Sequence, residues 1–121
     1  MARRRLERLN EQLRRELTEI LRREVKDPRV GLVTVTGVRA APDLTFARVM
    51  VEIPSSADEA ETLVGLAKAS PFVRHELGQR LRIRRVPELR FEPDHTMDDV
   101  RHIERLLGDA RRDPDDEADD A

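Results

Sequence analysis

Five arginines crowd the stretch 72–90: Arg74, Arg80, Arg82, Arg84 and Arg85. With Arg90 they stand against only Glu76 and Glu88. Four more, Arg3, Arg4, Arg5 and Arg8, lie close together near residue 1. A guanidinium is a planar fork of donors that meets two phosphate oxygens at once, so this pattern suits recognition of a polyanion. These nine arginines are the candidate phosphate contacts. Arg3, Arg4 and Arg5 are adjacent and cannot share one helix face, so they read with Arg8 as a flexible basic arm that orders on RNA. Between the two groups stands Ala69-Ser70-Pro71. Serine followed by proline is a helix-start pattern, and the first N–H groups of a helix are free to bind an anion. Ser70 is thus expected to cap a helix whose free donors near Phe72 and Val73 point outward. Ala69, with only a methyl group, keeps that approach clear, and both residues join the candidate site.

The other chemistries are thinly supplied. Cysteine is absent, which excludes a disulfide framework, a thiolate nucleophile and any Cys-based metal site. Asp94, His95, Asp98, Asp99 and His102 could approach a metal, since Asp98 and His102 share a helix face. Yet Asp98 and Asp99 are explained by the dipole of a helix start, and His95 precedes it. No metal and no cofactor is expected. Ser55, Ser56 and Ser70 read as helix starts with no His–Asp arrangement beside them, and there is no phosphate-binding glycine loop. The chain is not expected to be an enzyme. Its only aromatics are Phe46, Phe72 and Phe91. The apolar pattern claims Phe72 and Phe91 for the core, so a platform for stacking bases is not expected.

Charge is sorted along the chain although the total is only −2. Residues 1–30 hold ten Lys or Arg against six acids, residues 31–71 three against five, and residues 72–90 six against two. Residues 91–121 hold four against twelve, which leaves an acidic end on a basic body. Of the 23 basic residues only Lys26 and Lys68 are lysine. A GC-rich genome produces the same bias, so arginine content by itself decides nothing. No apolar run is long enough to span a membrane and no secretory h-region follows the first arginines, so a cytoplasmic protein is expected.

The elements that must position these residues follow from periodicity. Leu6, Leu9, Leu13, Leu17, Ile20 and Leu21 step by three or four and predict a helix over about 4–25, stopping before Asp27-Pro28. Val33 and Val35 alternate with Thr34 and Thr36 in a strand that Gly37 interrupts with a bulge. After the turn Ala41-Pro42-Asp43, residues 44–53 form a second strand with Ala47, Val49, Val51 and Ile53 on one face, paired antiparallel with the first. Ser56 with Glu59 predicts a capping box for a helix carrying Ala60, Leu63, Val64 and Ala67. Pro71 then divides it from a second helix with Phe72, Val73, Leu77 and Leu81 inward. A short strand follows at 88–92, and Thr96 with Asp99 starts a last amphipathic helix ending near Gly108. Residues 1–108 are expected to form one domain. Residues 109–121 form an acidic tail, within which 113–121 holds six acids and no large apolar group and cannot bury enough surface to fold.

The order strand, helix, kink, helix, strand resembles a type II KH domain, in which an extra helix and strand precede the core. Where KH domains carry a GxxG loop this chain has Ala69-Ser70-Pro71, and an alanine-centred kink marks the bacterial ribosome-binding factor A family. The stretch 23–53, REVKDPRVGLVTVTGVRAAPDLTFARVMVEI, resembles that family's signature. Leu77-Gly78, Leu81–Val86, Val86-Pro87-Glu88-Leu89 and Asp94 with Thr96 agree further. Pro71 stands where many members have glycine.

The resemblance covers about residues 4–108. It implies an α+β fold with a three-stranded sheet covered by helices on one face. It also implies a non-catalytic factor that binds the immature 30S subunit and 16S rRNA near the decoding region. Assistance with 16S 5′-end maturation, release by a ribosome-associated GTPase, importance in the cold and a monomeric state belong to the same expectation. The residues by themselves leave a second class open: a protein–protein interaction module that uses the first or last helix, with its arginines merely solvated.

Overall fold

A computed structural model of the chain describes residues 2–111. The elements, in order, are α1 (Ala2–Arg23), β1 (Thr34–Ala40), β2 (Phe46–Glu52), α2 (Glu59–Arg80), β3 (Glu88–Pro93) and α3 (Thr96–Arg111). The sheet has the order β1-β2-β3. β1 and β2 pair antiparallel, with Val35 opposite Val51 and Ala40 opposite Ala47. The register slips between Val35 and Gly37, so Thr36 is the extra residue of a bulge at the glycine-interrupted alternation. β3 pairs parallel to β2, Ala47 opposite Leu89, so the polypeptide between them must cross over the sheet. α2 makes that crossover.

Alternation places one face of every strand in the core. Val35, Val38, Ala40, Ala47, Val49, Val51 and Leu89 are buried against Leu13, Leu17, Ile20 and Leu21 of α1 and Leu66, Val73 and Leu77 of α2. α1 lies on β1, α2 lies on β3, and the helices touch each other, so both cover the same face. Among the described residues no buried side-chain polar atom lacks a partner. The single buried polar residue of that core, Thr62, returns its hydroxyl to the Asp58 carbonyl at 2.8 Å.

Four local expectations are corrected. α1 begins at Ala2, so Arg3, Arg4, Arg5 and Arg8 are helical and not a flexible arm. Asp58, not Ser56, caps α2, its carboxylate accepting from the Glu61 N–H at 3.0 Å. α2 then runs without interruption through Pro71, so Ser70 caps nothing. In a continuous helix the N–H groups of Phe72 and Val73 face carbonyls one turn back and are not free for an anion. Proline is tolerated there because Ala67, whose carbonyl loses its donor, and Pro71 itself both face solvent. Burial of Leu66 before the proline and of Val73 and Leu77 after it holds both halves on one core.

Finally, α3 has the amphipathic spacing expected of it but no partner comparable to those of α1 and α2. Met97, Val100, Ile103, Leu106 and Leu107 remain exposed. It also continues past Gly108 to Arg111. The acidic stretch 113–121 lies outside the described residues.

Candidate nucleic-acid interface

The loop between α2 and β3 carries Arg82, Arg84 and Arg85, all exposed. Its path is fixed by Arg74, whose Nε donates to the Pro87 carbonyl at 3.1 Å and whose Nη2 donates to the Val86 carbonyl at 2.9 Å. Pro87 is fully buried and Val86 packs on the core. Arg74 therefore positions the basic loop, its Nε and one Nη2 donor committed to that backbone and its side chain half-buried. Arg80 is also taken up inside the protein. Its guanidinium meets Glu16 at 3.2 Å and Glu19 and Glu24 at 3.7 Å each, which ties the end of α2 to α1.

Topology brings the start of α1 to the same end of the sheet as the entry of this loop into β3. The Asn10 side chain accepts from the Ala40 N–H at 2.8 Å, which places the first half of α1 at the end of β1. Ala40, Ala47 and Leu89 share one row of the sheet, and the loop feeds β3 at that row. Arg3, Arg4, Arg5 and Arg8 lie one to two turns before Asn10, all exposed, with Arg3 within 3.9 Å of Glu7. Seven exposed arginines therefore lie toward that end of the sheet in two groups: these four at the start of α1, on the β1 side, and Arg82, Arg84 and Arg85 on the loop into β3. Exposed guanidiniums in such groups supply a sequence-independent attraction for nucleic-acid backbone.

Ala69 and Ser70 sit elsewhere, halfway along α2, both half-buried. Against this part of the helix lies the loop Lys26-Asp27-Pro28-Arg29. The Asp27 carboxylate accepts from the Arg29 N–H at 2.9 Å and from its guanidinium at 2.6 and 3.0 Å. The Arg29 side chain holds the Asp27 carboxyl well below the usual carboxylate range, at about 2, and the Arg29 backbone N–H adds to this, so the clasp is ionised throughout the neutral range. Gly65 lets the clasp seat. A Cβ there would stand 3.2 Å from Cβ and Nε of Arg29. The loop and α2 flank a shallow, open groove of about 380 Å³ lined by Lys26, Lys68, Ala69 and Phe72 among others.

Sequence reasoning missed this groove. It treated the KDPR and Ala-Ser-Pro segments as separate motifs, and it assigned Phe72 to the core although the ring is 42% exposed. No local spacing relates two segments so far apart along the chain, but the coincidence of the only two lysines with those two motifs was a usable signal.

The remaining candidate chemistry resolves into structural bonds. Asp94, weighed above as a possible metal ligand, accepts from the Thr36 hydroxyl and from the Thr96 N–H at 2.9 Å, and these partners hold its carboxyl at about 2. His95 pairs with Glu59 at 3.0 Å and lies 3.6 Å from Asp98. On the open face of the sheet Arg39, Arg48 and Arg90 stand in one row, but Arg48 is engaged by Glu92, and Arg90 lies over the Phe46 ring at 3.9 Å.

Residues 5–107 match the family model for ribosome-binding factor A. The chain belongs to the ribosome-binding factor A family. A ribosome-binding factor A of Staphylococcus carnosus (strain TM300) is 40% identical over 113 residues, covering 93% of this chain and 98% of that protein. The crystal structure of ribosome-binding factor A from Thermus thermophilus is 35% identical, with a TM-score of 0.68 over 73% of this chain and 93% of that one. A Thermus thermophilus ribosome-binding factor A coordinate set, fitted into a cryo-EM map of a 30S complex, is 34% identical. It has a TM-score of 0.61 over 73% of this chain and 93% of that one. Membership in the ribosome-binding factor A family fits the sequence motifs, the mixed α+β fold and the three-stranded sheet. It assigns no role to individual arginines.

Proposed function

We propose that the chain is a non-catalytic ribosome biogenesis factor. It binds the immature 30S subunit through 16S rRNA and assists late maturation and 5′-end processing of that RNA. The observation that carries this reading is the pair of exposed arginine groups toward one end of the sheet of a ribosome-binding factor A fold, Arg82, Arg84 and Arg85 on the loop into β3 and Arg3, Arg4, Arg5 and Arg8 at the start of α1. A similar protein has been fitted into a 30S complex, which supports the same class of partner. Arginine clusters without a stacking sheet favour phosphate and shape over sequence, as suits contact with folded rRNA. A monomeric protein, release by a ribosome-associated GTPase and greatest need in the cold complete the proposal, as do a body of residues 1–108 and an acidic tail of 109–121.

Among the described residues no helix is long and apolar enough to cross a membrane, and no group of three or more His, Asp or Glu is placed to hold a metal. One observation favours the second reading, a protein–protein interaction module: the open apolar face of α3. A test in cells separates the two. Depletion of the chain is expected to raise the fraction of 16S rRNA carrying extra 5′ nucleotides, measured by primer extension, more at low temperature than high. Fully mature 5′ ends throughout depletion would contradict the processing role.

A further inference from the structure

The groove beside Ala69 holds an exposed aromatic ring, two ammonium groups without a close ion-pair partner among the described residues, and the Asp27 and Glu24 carboxylates, and the arginines of the α2–β3 loop explain none of them. Of the three phenylalanines, Phe46 has its face covered by the Arg90 guanidinium and Phe91 packs on the core. Phe72 remains open. Its position follows from the helix. Gly65, Ala69 and Phe72 run along one edge of α2, buried under Arg29 at Gly65, half-buried at Ala69 and open at Phe72. The KDPR loop thus covers the edge up to the ring and stops.

Lys68 lies one turn before Phe72 on the same side of the helix, and Lys26 lines the groove from the loop. Neither lysine makes an ion pair or side-chain hydrogen bond among the described residues. Two carboxylates share the groove: Asp27, clasped by Arg29 and within electrostatic reach of Lys68, and Glu24, 3.7 Å from an Arg80 guanidinium that Glu16 and Glu19 also share. What the groove still offers is one π face flanked by two ammonium groups that make no ion pair within 4 Å among the described residues. An apolar peptide would use the ring but gain nothing from two ammonium groups. A free anion would use the ammonium groups but not the ring. A nucleotide that has left its helix uses both, because every base has a face to stack and a phosphate next to it.

We propose that this groove holds a single unpaired RNA nucleotide, its base stacked on Phe72 and its phosphate between Lys26 and Lys68. The assignment rests on the reading of the chain as an RNA-binding factor and specifies one contact within it. The two contact zones then differ in kind: the arginine end follows backbone, and the groove captures one extruded base. They lie well apart, since Phe72 and Arg80 are separated by about 12 Å along the helix axis.

The chain contains no Trp or Tyr, so Phe72→Trp introduces a unique fluorophore into the groove of the full-length protein. Adding single-stranded hexauridine is expected to quench its emission saturably. An RNA duplex of equal phosphate content should quench far less, and inorganic polyphosphate should not quench. Phe72→Ala is expected to weaken binding to purified 30S subunits about 5- to 100-fold with an unchanged salt slope and melting temperature, because stacking involves no counterions. Lys26→Ala with Lys68→Ala should instead lower the slope by about 1. Equal quenching by duplex or polyphosphate, or undiminished 30S binding by Phe72→Ala, would overturn the assignment. Weakened 30S binding with no quenching by hexauridine would also overturn it, and would point to a protein groove. Failure of the unaltered chain to bind 30S subunits at all would instead overturn the reading on which it rests.

Discussion

Replacing Arg82, Arg84 and Arg85 together by alanine is expected to lower affinity for purified 30S subunits by about 10- to 100-fold and the salt slope by about 2 to 3. The three side chains are exposed on a loop whose path is set by Arg74 and by burial of Pro87, so truncating them removes charge without removing packing. Filter binding at two salt concentrations measures both quantities, and the melting temperature should stay unchanged. Arg80→Ala makes the contrast. Its guanidinium is shared among Glu16, Glu19 and Glu24, so its loss removes the tie between α2 and α1 and leaves three carboxylates near one another along the end of α1 without that cation. That variant should melt earlier and keep the slope of the unaltered chain. A triple variant with an undiminished slope would remove the loop from the RNA-binding surface.

The largest effect on stability is expected from Leu66→Ala, at about 2–5 kcal/mol. Leu66 is fully buried in the half of α2 that precedes Pro71, where the helix depends on packing to bridge the missing hydrogen bond. For a domain of this size the loss corresponds to a fall in melting temperature of about 10 to 20 °C, read by circular dichroism. Ile103→Ala on α3 removes a residue of similar volume from an equally regular stripe. It should change stability by no more than about 0.5 kcal/mol because that side chain is 55% exposed. Equal losses at the two sites would mean that α3 is packed in solution.

The contrast between these two helices shows where sequence reading succeeded. Strand pairing and the bulge before Gly37 were legible because alternation is a property of neighbouring residues, and Val35, Val49 and Val51 could face only one way. The stripe of α1 was legible too, and Leu13, Leu17 and Ile20 are fully buried. The identical period in α3 shows only that a face suits a partner; it does not supply one.

Pro71 misled because the rule that breaks a helix there is local. Its force depends on whether the freed carbonyl can reach water, which is a tertiary fact. The same is true of Arg74 and Arg80. Composition placed them in a basic zone, but their donors go to the Val86 and Pro87 carbonyls and to three glutamates. Phe72 was lost for the opposite reason: an apolar residue next to buried Val73 was assumed to be buried as well. The family motifs were legible one by one, while their meeting across the Gly65–Ala69 edge of α2 required the fold.

The central claim, that this chain binds the small ribosomal subunit through its arginine-rich end, is tested most directly by sedimentation. Purified full-length chain is mixed with 30S subunits and run through sucrose gradients at low and high salt. Co-migration with the 30S peak at low salt and release to the top at high salt is the predicted result. A chain that stays at the top in both gradients, or that remains on the subunit undiminished at high salt, would contradict it.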